Sequence, residues 1–249
     1  MSVASTSIPA PVKKSGPLGS FLTSSIGKKW IVALTGLGLL GFVVGHMLGN
    51  LQFFLPNKQQ INDYGVHLRE LGPLLWIIRF GLLAIFVLHI VTTVQLVIAN
   101  NRARPEKYAV TKPKASTLAS RTMIFSGLLV LAFVVYHLLH FTFLATHPSY
   151  KNLHDPSGHH DVYSMMVLGF QQPLISVFYV ISVTLLALHL NHGIASTLQT
   201  LGLNTHRLHP LWKNLGRGIS VIIGVGYLTI PLSVLAGIQK LPPWFTASH

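Results

Sequence analysis

Residues 173–200 read PLISVFYVISVTLLALHLNHGIASTLQT, a run without Asp, Glu, Lys or Arg. At about 1.5 Å of rise per helical residue it is long enough to cross a hydrocarbon core of roughly 30 Å. Pro173 at its head suits the first turn of a helix, where a missing N–H leaves no bond unmade. Deep within the run stand His189 and His192, and an ionisable side chain in hydrocarbon costs several kcal/mol unless it is paired or ligating. The stretch predicts a membrane-spanning helix that carries chemistry.

Working outward, Lys29 to Leu55, Pro73 to Ala99, Thr122 to Ala145 and Ile219 to Ile238 read the same way. The chain is thus predicted to be an all-α integral membrane bundle of five transmembrane helices, the last kinked at Pro231. Composition agrees: half of the 249 residues are hydrophobic and 9% are charged, the profile of a chain whose main solvent is lipid. A net charge of +13 would suggest nucleic acid if Lys and Arg formed a surface stripe. They lie between the apolar runs instead, so membrane lipid is the expected partner and nucleic acid is not. Residues 1–26 are rich in Ser, Pro and Lys and lack an apolar h-region, which reads as a polar cytoplasmic tail and not as a cleaved signal. Residues 27–240 form the membrane domain and 241–249 an external tail.

The connections set the orientation. Lys13, Lys14, Lys28 and Lys29 precede the first span. Arg102, Arg104, Lys107, Lys112, Lys114 and Arg121 lie between the second and third, and Arg207, Lys213 and Arg217 between the fourth and fifth. The opposite side holds Lys58, Arg69, Lys151 and Lys240, with Arg79 left inside the second span near its outer end. The excess of positive charge predicts a protein of the cytoplasmic membrane with its N-terminus inside and its C-terminus outside.

Six of the 14 histidines fall in spans: His46, His89, His137, His140, His189 and His192. His46 comes 16 residues after Trp30, and His137 comes 14 after Met123, on helices that enter from inside. Both are therefore expected in the outer half, about 21–24 Å up. His89 and His189 each come 16 residues after the proline that opens a span entering from outside, which puts them in the inner half. Four antiparallel helices thus deliver two histidine pairs at two heights. With no cysteine, disulfides, thiolate zinc sites and cysteine-ligated clusters are excluded. Zinc would want four ligands, whereas haem iron takes four nitrogens from its porphyrin and needs only two axial groups. The expectation is two haem b groups: His46 and His137 on the outer iron, His89 and His189 on the inner. Gly41, Gly45 and Gly49 repeat at four-residue spacing on the first span, either to clear a porphyrin or to let helices pack. His140 and His192 sit three residues beyond His137 and His189, placed to bond propionates, to support a ligand, or to ligate in place of their neighbours.

The stretch His189-Leu-Asn-His192-Gly-Ile-Ala-Ser196-Thr-Leu-Gln199-Thr-Leu-Gly202 resembles the fourth helix of the di-haem cytochrome b membrane-anchor subunit of succinate dehydrogenase and fumarate reductase. Thr35-Gly36 through Gly45-His46-Met47-Leu48-Gly49-Asn50, Leu88-His89 and Phe133-Val134-Val135-Tyr136-His137 resemble its first three ligand helices. The likeness covers roughly residues 26 to 240 and favours His46, His89, His137 and His189 as ligands. It implies the same pairing of first with third and second with fourth helices. It further implies flavoprotein and iron–sulfur subunits as partners and a quinone, menaquinone or ubiquinone, as substrate. The chain itself carries no flavin or dinucleotide fingerprint.

Quinone reduction consumes protons, so a titratable group near the outer haem is implied. Among Asp63, Tyr64, His67, Arg69 and Glu70 in the first external loop, Glu70 is the chosen candidate, against its reading as a solvated carboxylate. Arg79 is the natural outer propionate partner, unless it snorkels to the headgroups. Lys28, Lys29, Arg121 and Gln199 are candidates for the inner haem. The anchor of a hydrogenase or formate dehydrogenase would share this chemistry with another soluble partner. A histidine-relay transporter is disfavoured because Asp63, Glu70, Glu106, Asp155 and Asp161 all lie outside the spans. The external His147, His154, His159 and His160 offer a metal site or a solvated loop.

Overall fold

In a computed structural model the described residues are 16–103, 123–205 and 207–247. Lys13, Lys14, Arg104, Glu106, Lys107, Lys112, Lys114, Arg121 and Thr122 fall outside them. The described residues contain no strand, only an isolated bridge between His154 and His160.

Five helices are long and apolar enough to cross a membrane, so the chain has the build of a multi-pass membrane protein. A short helix α1 (Pro17–Thr23) precedes the first span, α2 (Ser25–Leu51). The tail expected to reach residue 26 is therefore helical from Pro17. Ser24 caps α2 by accepting from Gly27 N at 3.0 Å, satisfying one of the donors that open any helix. After α3 (Gln59–Glu70), Gly72 at φ +53° makes the turn into the second span, α4 (Pro73–Arg102). A side chain at Gly72 would strain that backbone.

The third span is α5 (Met123–His137), prolonged by a π-helical turn over Leu138–Thr142. There Phe143 N reaches back to Leu138 O at 2.8 Å, and Leu144 follows at φ +53°, unusual for a non-glycine residue. Next come α6 (Val162–Gln171) and the fourth span α7 (Pro173–Thr200), whose limits are those expected from sequence. The fifth span, α8 (His209–Leu235), runs through Pro231 and starts ten residues before the predicted Ile219. Lys213 and Arg217 therefore belong to a helix end and not to a loop, where long basic side chains can reach headgroups while their stems stay apolar.

The fourth span is central. It packs on α2, α5, α6 and α8, while α4 lies along α2. Small residues let α7 and α8 approach closely: a Cβ at Gly224 would stand 3.1 Å from Ala187 Cβ, and one at Gly216 3.4 Å from Asn191 O. Much of α4 faces outward with Trp76, Ile77, Phe80, Leu83 and Val87 exposed, as suits a lipid-facing helix.

One end of the bundle carries Lys28, Lys29, Arg102, Arg207, Lys213 and Arg217 and is called the basic end. The other end is a folded cap, not the loose connections that its polar sequence suggested. Asp161 is 1% exposed and caps α6, accepting from Ser164 N (2.9 Å), Ser164 Oγ (2.6 Å), Asn62 Nδ2 (3.2 Å) and Trp244 Nε1 (3.0 Å). Those donors come from three separate parts of the chain. Asp155, also buried, accepts from Ser157 N, His159 N and the Gln59 amide. Tyr163 donates to Gln239 Oε1 at 2.8 Å, which Lys58 also reaches at 3.0 Å. The C-terminal residues are thereby part of the cap up to Trp244.

Candidate functional site: two levels of paired imidazoles

Only a histidine held at a fixed depth and rotation can serve as a ligand, so what touches each ring decides what it can do. At the basic end, His89 on α4 lies against α2. Its Nδ1 is 3.0 Å from Thr35 Oγ1, and a Cβ on Gly36 would stand 3.4 Å from its Cε1. His189 on α7 repeats the arrangement against α5: Nδ1 is 3.3 Å from Ser126 Oγ, and a Cβ on Gly127 would stand 3.5 Å from its Cε1. Each ring therefore has a hydroxyl at one nitrogen and a glycine of the adjacent helix beneath it. His89 and His189 thus stand at one level of the bundle.

The hydroxyls favour one tautomer. Thr35 Oγ1 lies 2.7 Å from Ile31 O, and Ser126 Oγ 3.0 Å from Met123 O, each placed to donate there. A hydroxyl has one proton, so while it is held by the carbonyl each accepts from the imidazole Nδ1–H. The Nε2 lone pairs of His89 and His189 are left for a metal, the orientation that ligating histidines owe to such outer partners.

At the capped end, His46 on α2 and His137 on α5 stand with ring centroids 5.8 Å apart and planes at 84°, although their helices do not pack closely. Two imidazoles on opposite sides of one metal, with bonds of about 2.0 Å, would have centroids roughly 6 Å apart. His137 Nδ1 is 3.4 Å from the Tyr179 hydroxyl of α7. His46 is the exception, since its Nε2 lies 3.3 Å from the Asn50 amide, which donates to His46 O at 2.7 Å. A turn of that ring about χ2 exchanges its nitrogens.

The two levels are separated consistently. On α2 the residues touching His89 come ten or eleven positions before His46, and on α5 those touching His189 come as far before His137, which is about 15 Å of helix in each case. Comparison with protein-family models, curated proteins and solved structures finds no match.

The donor set suits haem. Each level offers two imidazoles, and the described residues hold no group of three or more His, Cys, Asp or Glu able to enclose an ion. A Cβ at Gly41 or Gly45 would find no atom within 4 Å, so those faces can lie beside a flat group. Gly49 does not belong with them: its missing side chain admits the Tyr64 ring, whose hydroxyl would be 2.6 Å from a Cβ there. The glycine stripe thus borders open space at two positions and serves packing at the third.

Other expected residues fall in less committed places. His140 is fully buried and bonds the same Tyr179 hydroxyl at 3.0 Å, while its Nε2 has no partner among the described residues. His192 is half-buried, and Gln199 is exposed at the basic end. Arg79 rests its guanidinium 5.1 Å from the exposed Trp76 ring, a cation–π contact in keeping with an interfacial anchor. Glu70 is exposed and 3.7 Å from His67 Nδ1, in keeping with a solvated carboxylate. The cap histidines stay apart as ligands: His154 Nδ1 bonds Asn152 O, His147 Nε2 meets Gln172, and burial followed by the Arg69 charge lowers the proton affinity of His160. Sequence reasoning did not single out Thr35, Ser126 or Tyr179 as anchors. Their only signal was a hydroxyl within an apolar run.

Proposed function

We propose that the chain is the cytochrome b membrane anchor of a succinate:quinone oxidoreductase, binding two b-type haems, one between His89 and His189 and one between His46 and His137. The observation that carries this reading is the pair of imidazole levels, in which hydroxyls with no proton to spare leave Nε2 of His89 and His189 ready to ligate. The choice of succinate or fumarate as the soluble subunits' substrate rests on the sequence resemblance.

Haem bound at both levels would supply one-electron transfer across the thickness of the membrane between an iron–sulfur subunit and a quinone, menaquinone or ubiquinone. The chain's own residues do the rest. Thr35 and Ser126 hold the His89 and His189 rings by their Nδ1 protons, and Gly36 and Gly127 let the Cε1 edges of those rings come close to the neighbouring helices. Around His137, Phe133, Phe141 and Tyr179 exclude water. In the cap, Glu70 beside His67 is the carboxylate assigned to proton delivery toward quinone. The basic end lies in the cytoplasm and receives the flavoprotein and iron–sulfur subunits, and the cap faces outward.

A reduced-minus-oxidised spectrum and haem extraction on the chain purified from membranes test this. Two b-type haems per chain are expected, and colourless material overturns the proposal. Co-purification of a covalent flavoprotein separates the succinate complex from a hydrogenase or formate dehydrogenase anchor.

A further inference from the structure

The Tyr179 hydroxyl stands between two imidazoles, 3.0 Å from His140 Nδ1 and 3.4 Å from His137 Nδ1. It has one proton to donate, so it can donate to one ring and must accept from the other. If the proton went to His137 Nδ1, the Nε2 of that ring would carry the hydrogen and could not bind a metal. His140 would then be the ring with a free Nε2 lone pair.

We infer that Tyr179 selects the ligand at the capped end, donating to His140 Nδ1 and accepting the Nδ1 proton of His137. The shorter contact suits the O–H donor, whose bonds run shorter than those of N–H donors, and the longer, weaker one is left to the His137 N–H. The surroundings agree. His137 faces His46 from another span at 5.8 Å. His140 faces no second spanning histidine: it packs 4.0 Å from the Phe141 ring, and a Cβ on Gly169 would stand 3.1 Å from its Cε1. Its nearest imidazole, His147, already has Thr146 Oγ1 at one nitrogen and Gln172 at the other. In this arrangement His140 is a proton acceptor that keeps Tyr179 turned the right way, and both are positioning residues for His137.

The inference rests on the di-haem reading, and the test separates the two. The full chain is purified from membranes as wild type, Tyr179→Phe, His140→Leu and His140→Asn, and haem per chain, the redox titration and the paramagnetic spectrum of the ferric haems are measured. Colourless wild type overturns the haem reading and this inference with it. With two haems in the wild type, Tyr179→Phe should keep both, shift the outer potential upward because His137 loses the partner that raises its basicity, and alter one ferric signal only. An unmoved potential and spectrum in that variant overturn the inference alone. Should Tyr179→Phe fail to accumulate, the His140 pair decides. Leu removes the acceptor and should lower occupancy of the outer haem, while Asn, with an oxygen near the position of Nδ1, should restore it. Equal occupancy in the two overturns the inference.

Discussion

At the basic end, His89 and His189 are set by two near copies of one device: a hydroxyl whose proton is held by its own helix, and a glycine under the ring. At the capped end, His46 and His137 are set differently. Asn50 attends the first from its own helix, and Tyr179 attends the second while also holding His140. The difference teaches that a local hydroxyl–carbonyl bond fixes a tautomer without outside help, whereas a shared tyrosine makes it depend on a third residue. The basic-end level should therefore be rigid in its protonation and the capped-end level adjustable.

The largest expected effect breaks the comparison outright. His89→Ala or His189→Ala should remove one haem per chain and leave the other, and His46→Ala or His137→Ala should remove the complementary one, read as halved haem content with distinct residual spectra. Asp161→Ala comes next. It takes the carboxylate away from the buried donors of Asn62 and Ser164 and removes the α6 cap, costing about 3 kcal/mol. Limited proteolysis should then open the cap, and the capped-end haem should be lost on heating before the basic-end haem.

Sharper still is Thr35→Val, which keeps shape but deletes the acceptor of the His89 proton. Haem affinity at the basic end should fall roughly 10- to 100-fold, the usual scale for an outer-partner loss, with the capped-end haem unchanged in a haem-transfer titration. Ser126→Ala should act alike, and unequal results would break the symmetry between the two helices.

The smallest effect concerns the cap. Burial, and then the Asp161 charge, push the Tyr163 phenol up to about 12. A folded-state pKa raised above the unfolded value of about 10 means that its contribution is fully present below pH 10 and fades as pH rises through about 12. An ultraviolet phenolate titration of wild type and Tyr163→Phe should differ by one late-ionising phenol, whose ionisation accompanies cap opening in the wild type. A difference that titrates at about pH 10 would contradict this.

Much of this was legible in the sequence, and for physical reasons. Spans announce themselves because hydrocarbon admits few charges, so Pro173–Thr200 could be bounded to the residue. The fifth span was shortened because Lys213 and Arg217 look like loop residues until a helix end lets them reach water. Buried imidazoles stand out because they are costly. Their anchors do not, since Thr35 and Ser126 matter only through the rotation of two helices against their neighbours. The cap was invisible for another reason: Asn62 and Asp161 are 99 positions apart, and no local pattern joins them.

The π-helical turn at Leu138–Thr142 lies between His137 and Leu144. Such a turn holds one residue more than an α-helix would over the same rise, and each residue of helix turns the chain by about 100°. Deleting one residue there would let the segment relax into regular helix and swing everything after it around the axis. Met123–His137 would stay in phase with α7, while Leu144 and the connection into the cap would be carried out of register.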